Sequence, residues 1–279
     1  MSRGVTVIAL LAVLGIAACG GHRMTAPTPP PSSGNGGSDG GTTTPPDPPP
    51  PPPPPPTLKV TRIMAFGDSL TEGVVQPPAG MASILAFSAD AGLPVSYPFK
   101  LQTIENARYS SQTITVLNEG IGGRHALDDR QRFTDDLSAA GQLDVVLLME
   151  GDNDLAFLTT LSGGALTAGI TSIVNAMEDM VRSAQQRGVT PFVATLPDQR
   201  GGKSAAALIA PYNAALRTMI AKKGAVLVDV NAQLPLSYIG QDGLHPTEDG
   251  YQKLAEIFQA ALAAAYEIPP SSPTASIRR

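Results

Sequence analysis

Short apolar runs alternate with longer amphipathic segments along most of the chain, from Val60 to Ala265. A short run of this kind is typical of a buried strand, and five of them occur, at 60–66, 113–117, 144–149, 191–195 and 225–230. The run from Val145 to Met149 contains only apolar residues, as expected for a strand that is covered on both faces.

Between these runs, apolar residues recur at the spacing of an α-helix. The predicted helices include residues 170–184, residues 251–265 with Thr247 as their N-terminal cap, and a segment from Ser96 to about Tyr109. Alternation of strands and helices predicts a parallel sheet with helices on both faces. The expected fold class is therefore α/β, with three layers (α/β/α) built on a five-stranded parallel sheet.

The first 18 residues have the composition of a secretory signal, in which a basic Arg3 precedes an apolar run. The segment ends in Ile16-Ala17-Ala18-Cys19, which resembles the signal box of bacterial lipoproteins. That resemblance implies that Cys19 becomes the first mature residue and carries acyl chains that anchor the protein to a membrane. We therefore expect an exported lipoprotein, held in the periplasm or at the cell surface, or released from the cell. The alternative is an ordinary signal peptide with a chance cysteine near the cleavage site.

Residues 19–57 are rich in Pro, Gly and Ser, nearly free of apolar side chains, and include an unbroken proline run at 48–56. Such a segment cannot bury enough apolar surface to fold. We interpret it as a spacer between the lipid anchor and a catalytic domain at 58–267, and less readily as a ligand for a proline-binding partner. Residues 268–279 are predicted to be a disordered tail.

The formal net charge is −5, and no basic cluster has the character of a nucleic-acid footprint. No group of cysteine and histidine residues has metal-ligand spacing, and no glycine-rich loop follows a strand as a nucleotide site requires. The sequence therefore predicts no nucleic-acid partner, no metal and no other cofactor.

Four polar motifs lie where predicted strands end or helices begin. Because the carboxyl ends of parallel strands meet at one edge of a sheet, we expect the motifs to converge there. Together they supply a hydroxyl, amide donors, an imidazole and a carboxylate, which is the set that serine-based acyl transfer needs. The motifs are Gly67-Asp68-Ser69-Leu70, Asn118-Glu119-Gly120-Ile121-Gly122-Gly123, Gly151-Asp152-Asn153-Asp154 and Asp242-Gly243-Leu244-His245-Pro246.

A serine nucleophile needs a base, and a histidine is the natural candidate. The chain has 3 histidines, of which His22 lies in the spacer. His245 is the predicted base because Asp242, three residues earlier, can orient its ring towards Ser69. We interpret His125 as a residue of the pocket rim, with a direct catalytic role as the alternative.

The four motifs, in their order along residues 58–267, resemble those of the GDSL-type esterases of the SGNH hydrolase superfamily. The resemblance implies a flavodoxin-like strand order, 2-1-3-4-5, and ester hydrolysis through an acyl-enzyme without a cofactor. It assigns catalysis to Ser69, Asp242 and His245. It assigns the oxyanion hole to the backbone N–H groups of Ser69 and Gly123 and to the side-chain amide of Asn153.

The chain departs from many of these esterases beside Gly123, where Gly122 and Arg124 replace a serine and an aspartate. Arg124 either favours an anionic group on the substrate or is simply solvated. Asp68, Arg124 and His125 are the weaker candidates for contacts with substrate. The motif aspartates, Asp68, Asp152 and Asp154, are expected to order their loops by accepting backbone N–H groups.

The connection from Val74 to Val95 is long for a link between a strand and a helix, and it carries several apolar residues. It forms either an acyl-binding wall or lid, or a small helix packed on the domain. The sequence as a whole predicts a secreted, monomeric serine esterase for short- to medium-chain esters or lysophospholipids. The alternatives are a carbohydrate O-acetyl esterase, an O-acyltransferase with the same site, and a non-catalytic lipoprotein that binds the cell envelope.

Overall fold

The computed structural model describes residues 52–75, 94–203 and 205–270, all within the unit Pro51–Arg279. Several predictions lie outside the described residues and remain predictions. They concern the signal segment, Cys19, nearly all of the spacer, most of the 74–95 connection and the end of the C-terminal tail.

A five-stranded parallel sheet forms the centre of the domain. The described residues form seven strands: β1 (Thr57–Leu58), β2 (Arg62–Gly67), β3 (Thr115–Gly120), β4 (Val145–Met149), β5 (Thr190–Ala194), β6 (Val226–Val228) and β7 (Glu267–Ile268). The large sheet has the order β3-β2-β4-β5-β6, which is 2-1-3-4-5 when only its own strands are counted. β4 lies in the middle and is buried along its whole length, as its apolar sequence predicts. The predicted α/β fold and its strand order are confirmed.

Helices connect the strands and cover the sheet. They are α1 (Ser69–Glu72), α2 (Tyr97–Arg108), α3 (Ala126–Ala139), α4 (Asp152–Phe157), α5 (Gly163–Gln186), α6 (Ala206–Lys223), α7 (Val230–Gln233) and α8 (Glu248–Tyr266). α2 packs on α8, and α5 packs on both α3 and α6. None of the helices in the described part of the chain is long and apolar enough to cross a membrane.

Local sequence explains where these elements begin and end. Thr247 caps α8 as predicted, because its hydroxyl accepts the N–H of Gly250 at 3.1 Å. The strand predicted at 225–230 is shorter in the structure and ends at Val228. It ends early because Asp229 caps α7, where its carboxylate accepts the N–H of Ala232 at 3.4 Å.

Candidate active site

The first motif forms a tight turn from β2 into α1. Asp68 caps α1, since its Oδ1 accepts the N–H of Leu70 at 2.9 Å. Gly67 lies so close to β4 that an added Cβ would be 2.1 Å from the carbonyl oxygen of Met149. The turn therefore places Ser69 at the carboxyl edge of the sheet, with 8% of the residue exposed.

The fourth motif brings an imidazole and a carboxylate to Ser69. His245 Nε2 lies 2.9 Å from Ser69 Oγ, and His245 Nδ1 lies 2.6 Å from Asp242 Oδ2. An ionised carboxylate accepts hydrogen bonds only, so Nδ1 carries the ring proton and Nε2 is left to accept the serine hydroxyl. The three side chains form one hydrogen-bonded chain, although 176 positions separate His245 from Ser69.

Asp242 is held in its ionised form. Burial raises the pKa of Asp242, but the N–H of Leu244 and the His245 side chain bind the carboxylate and leave its pKa below the ordinary value. Asp242 Oδ1 also accepts the N–H groups of Leu244 at 3.0 Å and His245 at 3.1 Å. The carboxylate therefore fixes both the ring and the backbone that carries it.

The loop that carries His245 is tied down on its other side as well. Ile239 forms an antiparallel bridge with Pro246, and the N–H of Gly240 donates to the carbonyl of His245 at 2.8 Å. The guanidinium of Arg200 donates to the carbonyl of Ile239 at 2.9 and 2.6 Å. These bonds hold the backbone of His245 in place independently of the Asp242 side chain, which orients the ring.

The third motif turns sharply into α4. Gly151 has φ of +116°, and a Cβ there would lie 2.7 Å from the hydroxyl oxygen of Tyr212. That hydroxyl donates to the carbonyl of Glu150 at 2.8 Å. Both the dihedral angle and the tyrosine require glycine at this position, and the turn places Asn153 in the first turn of α4.

Asn153 connects the third motif to the second. Its Nδ2 donates to the carbonyl of Arg124 at 3.0 Å. An amide nitrogen has two hydrogens, and the second has no acceptor among the residues that the structure describes. One donor of Asn153 is therefore left for a ligand.

Two backbone donors accompany this amide. Within the described ranges, the N–H groups of Ser69 and Gly123 have no acceptor. Gly123 has φ of +77°, a value that favours glycine, and a Cβ built at the preceding Gly122 would lie 3.7 Å from Cβ of Ser69. The loop that carries Gly123 is thus adjacent to the hydroxyl, and the three donors suit an oxygen that gains negative charge.

Gly122 lies against the Glu72 side chain. The N–H of Gly122 donates to Oε2 of Glu72 at 2.8 Å. A Cβ at this position would lie 2.7 Å from the same oxygen. A larger residue at 122 would therefore require the Glu72 carboxylate, which binds the loop to α1, to move.

Arg124 has a partner within the protein that the sequence did not predict. Its Nε donates to Asp129 Oδ1 at 2.6 Å, and its Nη2 pairs with the same oxygen. Arg124 thus shares a buried carboxylate with Arg132, which pairs with the other oxygen of Asp129. The Arg124 side chain remains 40% exposed, so a contact with an anionic substrate stays a prediction.

Asp68 is also unsuited to the substrate contact suggested for it. Its side chain is fully buried, and burial, together with the nearby Asp152, raises the pKa of Asp68 well above its usual range. In the structure, Asp68 caps the N-terminus of α1.

The other two motif aspartates order the loops in different ways. Asp154 accepts the N–H groups of Ala126 at 2.8 Å and Leu127 at 3.2 Å, and so caps the first turn of α3 as expected. Asp152 instead accepts the side-chain amide of Gln199 at 2.5 Å. Burial raises the pKa of both carboxyl groups.

A pocket of about 240 Å³ opens beside α4. Most of its lining side chains are apolar, and His125 lies at it, with its ring 5.0 Å from that of Phe157. Phe157 follows Asn153 by four residues, so the two share one face of the helix. That spacing is the signal by which sequence reasoning could have found Phe157, which it missed. The lining residues are His125, Leu127, Asp128, Asp154, Phe157, Leu158 and Ile173.

Comparison with known proteins agrees with this fold. A family model described as GDSL-like lipase/acylhydrolase matches residues 65–253. The acetylxylan esterase Axe2 of Geobacillus stearothermophilus has a similar structure, with a TM-score of 0.58 and 19% identity over 74% of this chain and 95% of that protein. LAE5, an alpha/beta hydrolase enzyme from the metagenome of Lake Arreo in Spain, gives a TM-score of 0.57 and 20% identity over 74% of this chain and 96% of its own. No protein with a curated description matches the chain.

Proposed function

The chain belongs to the GDSL-like lipase/acylhydrolase family and is a carboxylic ester hydrolase, and on this premise we propose that Ser69, His245 and Asp242 are its catalytic triad. The observation that carries the proposal is the hydrogen-bonded chain of 2.9 Å from Ser69 to His245 and 2.6 Å from His245 to Asp242. No other described histidine bonds to a serine hydroxyl in this way.

The geometry supports a two-step mechanism. Ser69 Oγ attacks the ester carbonyl carbon while His245 Nε2 takes its proton, and Asp242 stabilises the imidazolium. The carbonyl oxygen becomes negative and accepts the N–H groups of Ser69 and Gly123 and the free amide hydrogen of Asn153. His245 then gives the proton to the leaving alcohol, and water, activated by the same ring, hydrolyses the acyl-enzyme.

We infer that the acyl group of the substrate is short to medium in length and occupies the pocket beside α4. In the tetrahedral intermediate, the oxyanion faces Asn153 and the leaving oxygen must face His245, so the acyl chain takes the remaining direction. The pocket is lined by Asp154, the residue after Asn153, and by His125, two residues after Gly123, and it has no lining residue from the loop that carries His245. Its apolar walls favour hydrocarbon.

A carbohydrate O-acetyl esterase is the second candidate. It is favoured by the fold that the chain shares with the acetylxylan esterase Axe2. An O-acyltransferase would use the same triad with a sugar hydroxyl in place of water, and product analysis with an added sugar acceptor separates it from a hydrolase. Lysophospholipids remain candidate substrates for the hydrolytic reaction.

The test is a panel of p-nitrophenyl esters from acetate to dodecanoate, assayed beside acetylated xylan and a lysophospholipid. Ser69→Ala should abolish turnover and labelling by a fluorophosphonate while melting stays nearly unchanged. Phe157→Ala should reduce the preference for butyrate and longer chains over acetate. Phe99→Ala is the matched control, because Phe99 is 47% exposed on α2 and does not line the pocket.

The carbohydrate esterase would be favoured if acetylated xylan is hydrolysed faster than every p-nitrophenyl ester and if Phe157→Ala has no effect. A folded Ser69→Ala protein with substantial turnover would contradict the triad.

We also propose that the protein is exported and anchored through Cys19, with the spacer at 19–57 between the anchor and a monomeric catalytic domain. The proposal is supported by the apolar run after Arg3 and by the residues before Cys19. Cys19→Ser should move the protein from the detergent phase to the aqueous phase, or leave the precursor uncleaved. Mass spectrometry that finds an unmodified N-terminus beyond Cys19 would refute the anchor.

A further inference from the structure

Helix α3 carries a buried ion pair, Asp129 and Arg132, that contacts residues at the ends of β2, β3 and β4. Asp129 is fully buried, and the Arg132 side chain is 14% exposed. Arg132 Nε donates to Asp129 Oδ2 at 2.8 Å. Neither residue belongs to the four motifs, and the mechanism above assigns neither a role.

Arg132 bonds to the backbone at the ends of two strands. Its Nη1 donates to the carbonyl of Glu119 at 2.8 Å, next to the glycine loop that follows β3. Its Nη2 donates to the carbonyl of Gly67 at 3.2 Å, two residues before Ser69. The guanidinium carbon lies 3.8 Å from the centre of the Phe66 ring, a position that a planar cation favours.

Asp129 reaches the other two donors. Its Oδ1 accepts Nε of Arg124 at 2.6 Å, and the carbonyl of Arg124 accepts the amide of Asn153 at 3.0 Å. On the partner residue of the pair, Nη2 of Arg132 lies 3.8 Å from Oε1 of Glu150, which begins the turn that leads to Asn153. Burial raises the pKa of Glu150 well above its usual range.

We propose that Asp129 and Arg132 are positioning residues, which set the distances between the Ser69, Gly123 and Asn153 donors. The proposal rests on the proposed function, because it concerns the oxyanion hole of that reaction. Three donors from three strand ends must converge on one oxygen, and a misplacement of about 1 Å costs about 10²-fold in rate. A buried ion pair adds little net stability by itself, whereas a fork that bonds to two strand ends fixes their separation.

The first test is the kinetics of Arg132→Gln on the best p-nitrophenyl ester. We expect kcat to fall about 10- to 100-fold with KM nearly unchanged, because the donors act on the transition state. Arg132→Lys keeps the charge but loses the fork, and its kcat should lie between the two. Arg130→Gln is the matched control, since Arg130 lies on the same helix, is 55% exposed and, among the described residues, pairs with Asp179 alone. It should keep the kcat of the parent.

The second test is a double-mutant cycle with Asn153→Ala. If Arg132 acts through the donors, the combined loss in kcat should be clearly smaller than the product of the two single losses. If the pair is merely structural, Arg132→Gln should lower the melting temperature, and the losses in kcat from Arg132→Gln and Asn153→Ala should multiply. That result overturns the proposal. So does an unchanged kcat in Arg132→Gln.

A third measurement separates failure of this proposal from failure of the proposed function. The rate of Ser69 labelling by a fluorophosphonate does not depend on the choice of ester, and it should fall in Arg132→Gln but not in Arg130→Gln. If Arg132→Gln does not fold, Arg124→Met removes one arm of the network and enters the same cycle. Loss of labelling in Ser69→Ala would support Ser69 as the nucleophile. Equal labelling rates in the Arg132 and Arg130 variants would reject the positioning role of Arg132.

Discussion

The side-chain amide of Asn153 donates one hydrogen bond within the protein and can donate a second to the substrate. One amide hydrogen is bonded to the carbonyl of Arg124 at 3.0 Å, and the other is free within the described chain to meet a developing oxyanion. A substitution therefore affects both catalysis and the loop that carries Gly123. The two effects can be separated, because only the first depends on charge in the transition state.

Asn153→Ala should lower kcat by about 10²–10³, or about 2.7–4 kcal/mol of transition-state stabilisation, with little change in KM. Loss of the bond to Arg124 should also lower the stability by about 1 kcal/mol. Asn153→Asp should be at least as damaging, because its carboxylate would face both the oxyanion and the Arg124 carbonyl. Steady-state kinetics and urea titration measure the two effects. A destabilised Asn153→Ala protein with unchanged kcat would remove Asn153 from the oxyanion hole.

The two described histidines should behave differently. His245→Ala should reduce kcat about as much as Ser69→Ala, because the two side chains act as a unit. His125→Ala should mainly change the preference for acyl chain length, since His125 lies at the pocket. Asp242→Ala should cost less than His245→Ala, because Arg200 and Gly240 also hold the His245 loop. A larger loss from His125→Ala than from His245→Ala would reassign the base.

Helix α2 buries an acidic side chain that the site does not use. Glu105 is fully buried, and neither of its carboxyl oxygens has a hydrogen-bond partner among the described residues. Burial raises the pKa of Glu105 to about 7; Arg108 opposes this shift and Glu267 adds to it. The folded protein therefore holds this proton more tightly than the unfolded chain does.

The stabilising contribution of protonated Glu105 is complete below its unfolded pKa, about 4.5, and is lost as the pH rises through about 7. Glu105→Gln should accordingly flatten the dependence of the melting temperature on pH between these values. The exposed Glu256→Gln on α8 is the control and should leave the dependence intact. Parallel pH profiles for Glu105→Gln and the parent would show that Glu105 is ionised in the folded state.

Two helices were missed at the level of elements, for different reasons. In α3 the apolar residues are sparse, and its buried positions include Asp129, so a search for an apolar stripe passes over it. In α6 an internal Pro211 interrupts an apolar sequence, and proline normally ends a helix. Helices α5 and α8 were predicted because burial of one face gives their apolar residues the spacing of an α-helix.

At the scale of the molecule, a small antiparallel ribbon of β1 and β7 joins the two ends of the domain. Leu58 is 2% exposed, and its N–H and carbonyl groups bond to the Gln112 side chain at 2.7 and 2.9 Å. The first residues of the domain are thus part of its core and of its hydrogen bonding. The domain boundary predicted at 58 stays a prediction.

Leu58→Ala should lower the free energy of unfolding by about 2–5 kcal/mol, through lost burial and the cavity that it leaves. Pro53→Ala, at an exposed position just upstream, is the control and should have little effect. A chain that begins at Pro52 should keep both stability and esterase activity, because it retains the ribbon. Urea titration and ester turnover check the three proteins. Equal stability of Leu58→Ala and Pro53→Ala would mean that the burial of Leu58 contributes nothing.

The sequence by itself determined the α/β class, because burial on one or both faces imprints a period on each strand and helix. Its four motifs also named the family and the residues that meet at the sheet edge, since Ser69, Asp242 and His245 each follow a recognisable local pattern. Their catalytic roles remain predictions.

The tertiary structure alone decided where Arg124 directs its charge, that Asp68 is buried, and that Phe157 borders a pocket. It alone revealed that Arg132 bonds to Gly67, a residue 65 positions away. Such contacts produce no periodic pattern in the sequence, because each is a single pairing between residues far apart in the chain. Only the folded chain brings those residues together at the edge of the sheet.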